Sequence, residues 1–364
     1  MFKTLLLISA LLVSVPALAQ PITVTDTARR VVTLPGPAQR IVLAEARQLV
    51  ALSIVDRDGA NSVVGMADLL RFDKEVREDY LAQFPNLRDV PALDGDRILS
   101  AEKTIAVEPD LVIMSGGTGP DAAQLNLVAT LEAAGIPSVF IDFRSDPFKN
   151  TVPSIALLGA VTGNVETANA FVALYNSHRD AILARIAETA PQRPTVFMHM
   201  QARNGDELMA PGAANLGTFI EAAGGDNIGA GIVPGMFGAL STEYVLSLDP
   251  DIYIGTGGTH FAGGDGVVVG PDVSFETAEQ SLQALAADPI ISELSAVRAG
   301  NAHGLWHNFH NSPLNIVALE VLASWIHPEL FGDMDPQATL DEINSTFFAV
   351  PFIGTAWVSL PSQR

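Results

Sequence analysis

The chain has 364 residues, 48% of them hydrophobic, which suits one large or two ordinary domains with a real core and excludes a largely disordered chain. With 41 acidic against 20 basic residues the formal charge is −21, so nucleic acid and anionic membrane surfaces are excluded as natural partners. There is no cysteine, which excludes disulfides, thiolate metal sites, a cysteine nucleophile and a cysteine-borne lipid anchor.

Residues 1–19 read as a secretory leader. Lys3 supplies the positive start, residues 4–15 are mostly apolar, and Ala17-Leu18-Ala19 is a small-x-small cleavage site. The apolar run is too short to span a bilayer. The mature chain is therefore expected to be a soluble, unanchored periplasmic protein. RIVLA (40–44) predicts a buried strand. Residues 101–117, AEKTIAVEPDLVIMSGG, then predict a short helix capped by Ser100, a stop before Pro109 and a buried strand over 111–114. LVATLEAAG (127–135) predicts a helix stopped by glycine, and IPSVFIDF (136–143) the next strand.

VETANAFVALYNSHRDAILARIAET (165–189) carries Ala168, Phe171, Val172, Tyr175, Ile182, Leu183 and Ile186 at helical spacing with no Gly or Pro. It predicts one stiff helix of about 37 Å, ended by Pro191 and Pro194. TVFMHM (195–200) predicts a strand and LGTFIEAAGG (216–225) a helix. Residues 242–258, TEYVLSLDPDIYIGTGG, then repeat the earlier spacing: Ser241 stands for Ser100, Glu243 for Glu102, Pro250 for Pro109 and Asp251 for Asp110. Pro313 suits the start of a helix over 313–326, and 335–348 predicts a last helix. Alternating helices and continuous apolar strands indicate an α/β fold. The expected layout is a leader (1–19), an N-terminal lobe (20–150), a connecting segment (151–190) and a C-terminal lobe (191–364).

These blocks, with ITVTDTARRVVTLPGPAQRIVLA, FIEAAGGDNIG and DPIISELSAVRAGNAHGLW, resemble the periplasmic substrate-binding proteins of ABC importers for iron–siderophores, haem and cobalamin, over roughly residues 22–335. The resemblance implies two Rossmann-like lobes with mostly parallel sheets, joined by one long rigid helix, with a ligand cleft between them. It also implies a monomer that is not an enzyme and has no cofactor of its own. Such a protein captures a small-molecule iron chelate bearing Fe(III) and delivers it to an inner-membrane ABC permease. Glu102 and Glu243 stand where the family docks on permease arginines. With a helix for a hinge, lobe movements should be small.

The loops expected at the cleft are 45–48, 115–119, 143–148, 199–204, 256–261 and 303–310. They carry Arg47, Arg144, His199, Arg203, His260, Phe261, Trp306, His307 and His310 as candidate ligand-binding residues, since guanidinium forks, imidazoles and an indole face suit an anionic, partly aromatic chelate. His303, His307 and His310 form a candidate metal set only if a metal ion such as Zn or Mn binds directly. Haem and cobalamin are the alternatives within the family. GGTGP (116–120) and GTGGTHFAGG (255–264) match no phosphate-loop pattern. A secreted metallohydrolase, the second class, would need a metal-ligand set with a general base, and the sequence holds no H-E-x-x-H and no compact His/Asp cluster, nor the G-x-S-x-G of a serine hydrolase. A sensor that binds ligand without meeting a permease remains as a third class.

Overall fold

The computed structural model describes residues 20–67, 72–95, 98–116, 119–205 and 207–361. The leader, residues 1–19, lies outside the described residues, as does part of the predicted 115–119 loop.

Two α/β lobes flank one long helix. The N-terminal lobe holds a four-stranded parallel sheet in the order Val63–Met66, Ile41–Leu43, Leu111–Ser115, Ser138–Ile141. The C-terminal lobe holds a five-stranded sheet. Its parallel strands run Asp226–Asn227, Thr195–His199, Ile252–Gly257, Ala302–Trp306. Trp357–Ser359 adds an antiparallel edge. The parallel part of both sheets has one strand order: second, first, third, fourth in sequence. The strands Ile41–Leu43 and Ser138–Ile141 are buried throughout, as expected for parallel strands covered by helices on both faces.

The sequence repeat has a structural cause. In each copy the serine caps a short helix, Ala101–Ala106 or Thr242–Leu248, its hydroxyl accepting from the backbone N–H of Lys103 or Tyr244. The residue before each proline is left-handed, Glu108 at φ 47° and Asp249 at φ 45°. The aspartate after it then ties the third strand to the start of the first. Asp110 accepts from the backbone N–H of Gln39 and Arg40 at 2.8 and 3.0 Å. Asp251 accepts from the Thr195 N–H and hydroxyl, both at 2.8 Å. The glycine closing the second copy is forced by space, because a Cβ on Gly257 would lie 1.9 Å from the Val267 carbonyl oxygen.

The connecting helix runs Val165–Thr189 and ends on Ala190 in the left-handed region. Ala168, Phe171, Tyr175 and Ile182 are buried, whereas Leu183, expected on the same face, is 40% exposed. The helix Pro147–Thr162 precedes it across Gly163, and the two pack closely at Gly159, where a Cβ would meet that of Ala168 at 2.3 Å. From the other side the helix Asn315–Ile326 presents Glu320, 1% exposed, whose Oε1 accepts from His178 Nδ1 of the connecting helix at 2.5 Å. Pro313 precedes that helix instead of opening it.

The tail, whose predicted last helix is present as Pro336–Phe347, crosses back over the molecule. Its helix Pro336–Phe347 sets the Phe347 ring edge-on to Phe171 of the connecting helix, and Ser345 O accepts from Arg57 of the N-terminal lobe at 3.0 Å. Two struts, not one, therefore join the lobes.

A cationic cleft between the lobes

Loops at the carboxyl ends of both sheets face each other across a cleft of about 690 Å³. The N-terminal lobe contributes Arg47, after its first strand, and Arg144, after its fourth. The C-terminal lobe contributes Gln201, Thr259 and His260 after its first and third strands. His307, Asn308 and His310 follow its fourth. A third wall comes from Phe72 and the first turns of the helix Lys74–Gln83, through Asp73, Lys74, Glu75 and Arg77. Sequence reasoning missed this wall. Phe72 is the one aromatic carbocycle among the described lining residues.

Of the nine candidates, Arg47, Arg144, His260, His307 and His310 line the cleft. The other four do not. His199 is 1% exposed beneath the floor, 3.0 Å from the Tyr253 hydroxyl. Arg203 is bridged to Gly266 in the chain that follows the floor. Phe261 packs beside the His260 ring, centroids 4.2 Å apart, rather than into the space. Trp306 is 6% exposed between Phe309 and Phe352, though its indole N–H donates to Asp73 at 3.0 Å and so touches the cleft wall from behind.

The candidate metal set also separates. His303 sits on a strand, not in a loop, with its ring stacked on Trp325 and its nitrogens on Ser359 and Asn301. His307 and His310 lie on a 3-10 turn, His307–Asn311, where residues three apart eclipse. Their ring centroids are 4.4 Å apart. Burial pushes the His307 imidazole down to about 3, helped by the charges of His260, Arg47 and Arg144. Burial likewise drives His310 well down. Both rings are thus neutral at physiological pH. His310 Nδ1 donates to the His307 carbonyl at 2.6 Å, which leaves Nε2 as an acceptor. Among the described residues no three His, Asp or Glu side chains converge as a metal-ligand group.

Acidic groups on the N-terminal lobe hold the cleft together. Glu45 binds Arg47 at 2.5 Å and accepts from Ser115 and, across the cleft, from Asn311, both at 2.7 Å. Asp73 accepts from Asn308 at 2.7 Å as well as from Trp306, and Glu75 from the Thr259 hydroxyl at 2.7 Å. Burial raises the Asp73 carboxyl despite these donors. Asn215, strained at φ 54°, closes the far side by donating to the Arg144 carbonyl at 2.6 Å. Every one of these contacts except Glu45 with Arg47 and Ser115 joins one lobe to the other.

A family model described as periplasmic binding protein matches residues 61–305. Among curated proteins, the cobalamin-binding protein of Halobacterium salinarum is 26% identical over 298 residues, covering 80% of this chain and 70% of that protein. The TroA-like periplasmic binding protein FepB from Veillonella parvula superposes with a TM-score of 0.84 at 23% identity, over 94% of this chain and 100% of that one. A periplasmic heme binding protein from Pseudomonas aeruginosa superposes at 0.56 with 18% identity, over 90% and 99%.

Proposed function

The chain belongs to the periplasmic binding protein family, whose members bind small molecules and present them to ABC permeases, and on that footing we propose that it captures a ferric siderophore and delivers it to an importer. The observation that carries this reading is the charge of the cleft. Four cationic side chains, Arg47, Lys74, Arg77 and Arg144, line it against two carboxylates, in a protein of net charge −21. Cations gathered in a concave, partly buried site favour an anionic, oxygen-rich ligand. The siderophore fills the coordination sphere of the iron, so the protein needs no metal-ligand set of its own.

A second reading, cobalamin, draws support from the Halobacterium salinarum relative. A corrinoid with its nucleotide arm is larger than an iron chelate, and it would have to break the bonds from Asp73 and Glu75 to the opposite lobe. Haem fits less well, since a porphyrin face wants apolar walls and the described lining offers Phe72 alone.

Titration of the intrinsic fluorescence separates these ligands. Trp306 touches Asp73 on the cleft wall, so a ferric siderophore should quench emission and saturate at one per protein. A panel of ferric catecholates, hydroxamates and carboxylates that leaves emission unchanged, while cobalamin or haem saturates it, would replace the iron reading.

Docking completes the proposal. Glu102 and Glu243 are both exposed, each in the first turn of its matched short helix. A carboxylate there is favoured by the helix end and free to meet arginine. One on each lobe orients a monomer over the permease.

A further inference from the structure

We propose that Arg77 is the residue by which the cleft selects its ligand for negative charge, its guanidinium taking a carboxylate or catecholate oxygen pair of the bound molecule. This rests on the cleft being the ligand site. Arg77 lines the cleft, and its Nε is buried with no hydrogen-bond partner among the described residues. That is unusual for a guanidinium nitrogen shielded from water, which costs free energy until something accepts from it.

The vacancy is not for want of acids. Asp73 stands at the N-cap of the same helix, four residues before Arg77, the spacing at which such pairs form. Its two oxygens are taken by Trp306 and Asn308 of the opposite lobe instead. Glu75 is held by Thr259, and Glu78 lies 3.7 Å from Lys74. Arg47 of the same lobe has Glu45, and Arg30, Arg185 and Arg193 elsewhere have carboxylate partners. The opposite lobe thus takes up Asp73 and Glu75, and Lys74 takes up Glu78, so none of the three acids serves the planar fork of Arg77, which lines the cleft. A fork of this kind matches two adjacent oxygens, which a lysine ammonium cannot do. Asp73 and Glu75, which tie the lobes together, are on the same two turns, so an anion seated on Arg77 also holds the helix that joins them.

The test compares wild type, Arg77→Gln and Arg77→Lys by calorimetry with four probes. These are an anionic ferric tris-catecholate, ferric citrate, metal-free citrate and a cationic ferric trihydroxamate. Thermal melts run alongside show that the variants fold. Arg77→Gln should weaken the anionic probes about tenfold to a hundredfold and the cationic one by less than about twofold. Arg77→Lys should recover only part of the loss. Anionic probes bound equally by wild type and Arg77→Gln, a loss shared equally by the cationic probe, or a wild type that binds none of the anions would overturn the assignment. Metal-free citrate bound as tightly as ferric citrate, with the Arg77 dependence intact and no other iron complex bound, would keep it and remove iron from the proposed function.

Discussion

Replacing both Glu102 and Glu243 by arginine should abolish import while leaving the affinity of the purified protein for its ligand unchanged. The two carboxylates lie outside the cleft lining, on exposed first turns, so ligand contacts survive the change. If the proposed docking on permease arginines holds, the substitution turns two attractions into two repulsions, and like charges set against each other cost several kcal/mol. Each single reversal should slow import without stopping it, because the partner lobe still docks. Uptake of labelled ligand by cells carrying the variants measures this directly. Uptake at the wild-type rate by the double variant would show that these residues do not dock, and would favour a ligand sensor that never meets a permease.

The largest effect on stability is expected at the joint between the connecting helix and the C-terminal lobe. Glu320 is 1% exposed, one of its oxygens has no partner, and the other depends on His178. The hydrogen bond to Glu320 raises the His178 imidazole, with a further push from the charges of Glu320 and of Glu342 on the tail helix, against the lowering effect of burial. A raised histidine stabilises the fold fully below its unfolded value of about 6.5. That stabilisation fades as pH climbs through the higher folded value. At pH 6, His178→Leu should therefore cost about 2–4 kcal/mol, the cost of stranding a buried carboxylate reduced because His178 is itself partly exposed. The double variant His178→Leu with Glu320→Leu should regain most of that loss, since a packed apolar pair serves as well as a buried ion pair. Denaturant unfolding at pH 6 and pH 8.5 checks both points. Equal stability of wild type and His178→Leu at pH 6 would show that the pair contributes nothing.

Much of this fold was legible because its signals are local. Ser100, Pro109 and Asp110 act on neighbours in sequence or on the adjacent strand, and their counterparts Ser241, Pro250 and Asp251 do the same work in the other lobe. Helical spacing alone placed the strut at 165–189, because no competing turn residue interrupts it. The cleft was half legible. Arg47, Arg144, His260, His307 and His310 follow strand ends, and strand ends converge on the cleft in this topology. The wall from Phe72 to Arg77 was hidden because KEVREDYLAQ has charges all round and reads as a solvated helix. Its place on the cleft is held by Trp306, Asn308 and Thr259, more than 180 residues away in sequence. His303 misled because 303–310 reads as one loop around Gly304, whereas the strand Ala302–Trp306 turns His303 away from the two rings that follow it.

Anomalous diffraction at the iron edge, from crystals grown with the ferric chelate that saturates the fluorescence, tests the central claim most directly. The account predicts one iron per chain, between the Arg77 and Arg144 side of the gap and the His307–His310 turn, with chelate oxygens rather than protein side chains as its ligands. Iron found on the outer surface, or held directly by histidines with no chelate around it, would contradict it.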